Sequence, residues 1–123
     1  MSKKIFIAED DADVVEVLKE GLEGYEIFSA SNGAEALEVM KKEKPALAVI
    51  DIMMPEMNGA ELNKKMKKDP NLKNVPVVII TGRPNMKDLF SANGENSVAG
   101  FLEKPFTLKV LQREIDRHLE KTG

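Results

Sequence analysis

The chain has no cysteine and no tryptophan, and its 123 residues include one histidine, His118, and one tyrosine. Without cysteine there can be no disulfide framework, thiol nucleophile or thiolate-bound zinc. A single histidine excludes a histidine metal cluster and argues against a histidine-centred triad. The apolar runs are short, far below the roughly 20 residues a membrane-spanning helix needs. The opening "MSKKIFIAED" carries positive charge but lacks the apolar segment and cleavage site of a secretory signal. A cytoplasmic protein is therefore expected. Excess charge is also missing: the net charge is −3 and the pI near 5.3. This argues against direct nucleic-acid binding as the main role. The basic run "KKMKKD" reads as a solvated helix face.

What is present fits one globular domain over residues 1–123, with 42% hydrophobic and 32% charged residues. A chain of this length buries about two-thirds of its unfolded surface and needs no metal to fold. Five apolar runs read as strands: Lys4–Ala8, Glu26–Ala30, Ala46–Ile50, Val75–Ile80 and Gly100–Glu103. The first, third and fourth barely alternate with polar residues, as suits strands buried on both faces of a parallel sheet. Helical spacing lies between the runs. Val14, Val15, Leu18 and Leu22 share one face, Ala34, Leu37 and Met40 continue in a second helix stopped by Pro45, and Leu62 and Met66 mark a third. Leu108, Leu111, Ile115 and Leu119 line the last helix, with Thr107 as its N-cap. The stretch from Asn85 to Ala99 gives only a short or frayed fourth helix, interrupted by "SANGENS". Regular alternation predicts an α/β fold with a parallel sheet and helices on both faces.

In such folds the ligand site lies beyond the carboxyl ends of the strands. The first strand ends there in Glu9, Asp10 and Asp11, the third in Asp51 and "IMMPEMNG", the fourth in Thr81 and Gly82, and the fifth in Lys104 and Pro105. Each alone has an ordinary explanation: an acid that caps the next helix, a turn residue, a loop hydroxyl, a surface amine. Their convergence on one rim is harder to explain that way. Three adjacent acids also need something to offset them, since a close like-charge contact costs up to about 4 kcal/mol at an effective dielectric of about 20.

The blocks "IFIAEDD", "VIDIMMPEMNG", "IITG" and "GFLEKPF" resemble the signatures of response-regulator receiver domains from two-component signalling. The resemblance spans nearly the whole chain in the right order. It implies a doubly wound, flavodoxin-like sheet of five parallel strands in the order 2-1-3-4-5 with five helices. The family's acidic pair falls on Glu9 and Asp10, which leaves Asp11 to cap the first helix. The resemblance implies that Asp10, Asp51, Glu9 and the backbone carbonyl of Met53 hold Mg2+ (or Mn2+), a hard cation suited to oxygen ligands. Asp51 would be the phosphoacceptor, taking a phosphoryl group from a histidine kinase or phosphotransfer protein. Lys104 and Thr81 would contact the phosphoryl oxygens. Thr81 and Phe101 would form the switch that reshapes the surface of the fourth helix, fifth strand and fifth helix for a downstream protein or an output domain. The Lys104–Pro105 bond is a candidate cis peptide.

Met53 and Arg83 flank the place where hydrolytic water must enter, and Met cannot orient that water, so slow to moderate self-dephosphorylation is expected. The chain departs from the family pattern at Gly82, where a small Ala is commoner, and in the segment from Asn85 to Ala99. At most the chain would catalyse its own phosphorylation and hydrolysis, so it is not a dedicated enzyme. Three rival readings stand beside this one. A flavodoxin-type binder would need a phosphate-friendly loop where the acids stand. A phosphatase resembling the haloacid dehalogenases would need an Asp where Met53 stands. The third is a degenerate receiver, acting as a protein-interaction module without phosphorylation. No contact with a membrane is expected.

Overall fold

In the computed structural model, which describes residues 3–54, 58–82 and 97–122, the five apolar runs pair as one parallel sheet. Its strands are β1 (Lys3–Ala8), β2 (Tyr25–Ala30), β3 (Leu47–Asp51), β4 (Val77–Thr81) and β5 (Gly100–Glu103). Their order is β2-β1-β3-β4-β5, as the resemblance implied. The helices are α1 (Ala12–Gly21), α2 (Gly33–Glu43), α3 (Gly59–Lys68) and α4 (Leu108–Thr122), so four of the five expected helices lie among the described residues. Most of the segment expected to form the other helix, residues 83–96, lies outside them.

Six strand ends differ from expectation by one or two residues: β1 and β2 each start one earlier, β3 is shifted one later at both ends, and β4 starts two and ends one later. β4 starts at Val77 and not at Val75. Pro76 has no N–H for the ladder, although its carbonyl still accepts from the Ala48 amide at 3.0 Å. β3 runs one residue further, through Asp51, which is paired with Ile80. The carboxylate is thus anchored on the last rung of a central strand.

Alternate residues of the central strands feed two separate cores. Phe6, Ala48, Ile50, Val77 and Ile79 point toward Ala36 and Met40 of α2 and Leu62 and Met66 of α3. Ile5, Ile7, Leu47, Val49, Val78 and Ile80 point toward Leu18 of α1 and Leu111, Ile115 and Leu119 of α4. The helices start where their caps lie. Asp11 accepts from the amides of Asp13 and Val14, Asn32 from Glu35 and Asn58 from Glu61, while the Thr107 hydroxyl accepts from Val110. Pro45 stops α2, and Lys44 before it adopts the left-handed conformation at φ 50°. Helix N-termini therefore gather with the strand carboxyl ends at one rim, and helix C-termini gather at the opposite pole.

Candidate functional site

At the rim the ladder brings together residues far apart in the chain. Glu9 directly follows β1, and its amide donates to the Ala30 carbonyl at 3.1 Å. Asp51 ends β3, and its Oδ1 accepts from the Met53 amide at 2.9 Å. Glu9, Asp51 and Thr81 are buried while Asp10 is exposed. Lys104 reaches over from the end of β5, its Nζ 2.8 Å from Asp51 Oδ2 and 3.2 Å from Glu9 Oε1. The family resemblance pairs this lysine only with an incoming phosphoryl group, and the structure adds this double contact with the acids. It is part of the answer to the clustered acids: an ammonium already sits between two of them.

That offset is incomplete. Burial pushes the Glu9 carboxyl up to about 8 from 4.5, helped by a hydrogen bond to Asp51 and the repulsion of its charge, and the opposing pull of Lys104 does not cancel this. Burial alone would lower Lys104, but Asp51 and Glu9 outweigh it and hold its ammonium above the usual lysine range. Glu9 Oε2 is buried without a hydrogen-bond partner. One oxygen from each of Glu9, Asp10 and Asp51 lies within 4.8 Å of the others. Such an all-carboxylate set, with one oxygen unsatisfied, fits a hard divalent cation.

The loop that carries Asp51 is pressed against α3. Gly59 donates its amide to the Ile52 carbonyl at 2.9 Å, and a Cβ there would come within 2.7 Å of Ile52 Cα and 2.8 Å of the Asp51 carbonyl. Only glycine tolerates this approach. Met53, two residues beyond Asp51, is 48% exposed. Thr81 lies opposite Glu103 in the ladder, and its carbonyl accepts from the Lys104 amide at 2.7 Å. Phe101, half-buried and opposite Ile79, packs against the core shared with α2 and α3. The Lys104–Pro105 peptide is cis. Arg83 lies outside the described residues. Sequence reasoning also missed Asn63, fully buried on α3, which donates to the Ser97 carbonyl at 3.0 Å just ahead of β5. Its signal was the spacing Gly59, Leu62, Asn63, Met66, which places a polar residue on the apolar face.

The family model of the response regulator receiver domain matches residues 5–116. The chain is 41% identical over 122 residues to the transcriptional regulatory protein CrdR of Helicobacter pylori, covering 95% of this chain and 55% of that protein. It is 31% identical over 121 residues to sporulation initiation phosphotransferase F of Bacillus subtilis, covering 97% and 95%. The signal receiver domain of a histidine kinase from Syntrophus aciditrophicus has the same fold, with a TM-score of 0.85 and 32% identity over 98% of this chain and 92% of that one. A receiver domain protein from Methanospirillum hungatei gives a TM-score of 0.86 at 28% identity, covering 100% of both chains. The chain spans about half the length of the first curated relatives it matches, 55% and 46% for the first two. With the parallel sheet, its acidic rim and the bridging lysine in place, the chain belongs to the response regulator receiver domains of two-component signalling.

Proposed function

We propose that this chain is a phosphorylation-operated switch whose phosphoacceptor is Asp51. The observation that carries this reading is the Asp51 carboxylate, 4% exposed at the end of a central strand and held between the Met53 amide and the Lys104 ammonium. A carboxylate oxygen of Asp51 bonds to the phosphorus of a partner's phosphohistidine. The P–N bond breaks, and its electron pair leaves with the imidazole nitrogen. Asp51 is ready for this role because the backbone holds one oxygen and the ladder fixes its Cα. Lys104 keeps a positive charge where the phosphoryl oxygens gather. Asp10, Asp51, Glu9 and the Met53 carbonyl would hold magnesium, which when bound supplies charge neutralisation on the same oxygens.

The donor is a histidine kinase or phosphotransfer protein. An apolar groove of about 630 Å³ supports this reading, for it runs along Val14, Val17 and Leu18 of α1 to Pro105 and Phe106 and shares Lys104 with the rim. A donor helix seated there brings its phosphohistidine beside Asp51. Thr81 then donates its hydroxyl to the phosphoryl group, Phe101 follows into the space released, and the surface of β5 and α4 changes for a downstream protein or an output domain. The exposed Met53 side chain has no hydrogen-bond donor and only a weak acceptor sulfur with which to orient an attacking water. The phosphorylated form should therefore last minutes or longer, and phosphate release within seconds would refute that expectation.

The test is intact mass after incubation with acetyl phosphate, with magnesium or with chelator, beside the Asp51→Asn protein. A single phosphoryl adduct that needs magnesium and vanishes in the variant is expected. No adduct, together with no magnesium binding, would leave an interaction module in place of a switch.

A further inference from the structure

The two ends of the sheet carry opposite charge. At the pole away from Asp51, the last turn of α2 presents Lys41 and Lys42, and the last turn of α3 presents Lys65, Lys67 and Lys68. The pairs Lys4–Glu43 at 3.1 Å and Lys41–Asp69 at 3.8 Å join these ends into one surface. The helix macrodipole favours a cation or two at a C-terminus. A run with lysine at 64, 65, 67 and 68 goes beyond that. Among the described residues, Lys42, Lys65, Lys67 and Lys68 enter no ion pair.

At the other end, a cleft of about 440 Å³ opens between α1 and the start of α2, lined by Glu9, Asp10, Glu16, Glu20 and Glu35 with the hydroxyls of Ser29 and Ser31. Lys19 is the one cation in this lining. The Glu9 side chain is 1% exposed, and although Oε1 pairs with Lys104, Oε2 has no hydrogen-bond partner. Glu16, Glu20 and Glu35 stand apart from the tight carboxylate group of Glu9, Asp10 and Asp51. Dispersed carboxylates beside hydroxyls suit an extended alkylammonium chain better than a bare divalent ion.

We infer that this cleft receives the lysine-rich end of α3 from a second copy of the chain, head to tail, when no divalent cation occupies the rim. Both charge partners are present in one chain, so the complementarity needs no outside molecule. The contact joins two different surfaces, so a pair of copies leaves a free pole and a free cleft to which further copies can add. It also covers Glu9 and Asp10, two of the carboxylates grouped with Asp51 at the rim, so it competes with a divalent cation there. The inference stands apart from phosphoryl transfer, since the contact needs neither donor nor phosphoryl group.

Sedimentation velocity in chelating buffer tests it, at about 0.02 M and about 1 M salt, where screening lengths differ several-fold. The mean sedimentation coefficient should rise with protein concentration at low salt and return to the monomer value at high salt. Two variants at exposed positions, Glu16→Gln with Glu20→Gln and Lys65→Gln with Lys68→Gln, should each stay monomeric. Mixed, they should form a pair and stop there, because only one charged cleft and one charged pole remain. A wild-type protein that stays monomeric at low salt would overturn the inference, as would association that survives high salt or variants that fail to pair when mixed. Capture of duplex DNA or anionic vesicles by the lysine pole without self-association would overturn it too and give the pole another partner. Phosphoryl uptake is not measured, so failure here leaves the role of Asp51 untouched.

Discussion

Glu9 is where sequence and burial conflict most directly. Its carboxyl is raised in the folded protein to about 8 from 4.5, so folding takes up a proton between those values. Stability from this group is complete below the lower value and is lost as the pH rises toward the upper one. In chelating buffer, Glu9→Gln should gain on the wild type in melting temperature as the pH is raised across that window. A difference that does not change with pH would show that Glu9 is not the titrating group. Lys104 is the counterweight. Lys104→Met leaves Glu9 and Asp51 facing each other and should cost about 1–3 kcal/mol. This is less than the about 3–5 kcal/mol of a fully buried pair, because the Lys104 side chain keeps 33% of its exposure. Denaturant melts would measure the loss, which should shrink in the Glu9→Gln background if the two residues are coupled.

At the scale of elements, the site depends on how closely α3 meets the end of β3. Gly59 allows that approach, and Gly59→Ala would drive a methyl group into the backbone of Asp51 and Ile52. Alanine favours a helix interior, but that gain is at most about 1 kcal/mol and smaller still in the first turn. Overpacking should win, with a net loss of about 1–3 kcal/mol. Because the displaced backbone carries Asp51, the rate of phosphoryl uptake should fall as well, read by intact mass over time. A variant as stable and as reactive as wild type would show that the loop yields without consequence. Asn63 is a second tie between elements, linking α3 to the residue that leads into β5.

For the whole molecule, the acidic rim should make stability depend on cations. Magnesium that binds only the folded chain stabilises it by mass action, about 2.7 kcal/mol at a hundredfold excess over Kd. The melting temperature should climb with magnesium concentration, and Asp10→Asn should flatten the climb. Asp10 is exposed, so the substitution should leave the metal-free melting temperature nearly unchanged. A melting curve indifferent to magnesium in the wild type would remove the cation from the proposed mechanism. No helix among the described residues is long and apolar enough to cross a membrane, and the two cores lie on opposite faces of the sheet.

Local chemistry by itself determined much of this protein. Short apolar runs without alternation marked strands buried on both faces, and Asp11, Pro45 and Thr107 marked helix limits that the structure keeps. The quoted blocks located the rim and Asp51, and their resemblance to a family carried the strand order. Only the tertiary structure decided what those residues do to one another. The Lys104 ammonium spans Glu9 and Asp51 across three strands, and no spacing along a chain encodes a 2.8 Å contact between residues 51 and 104. The raised Glu9 carboxyl is likewise a product of burial, which depends on everything packed around it. Sequence patterns register the periodicity of one element at a time, whereas desolvation and charge pairing arise where separate elements meet.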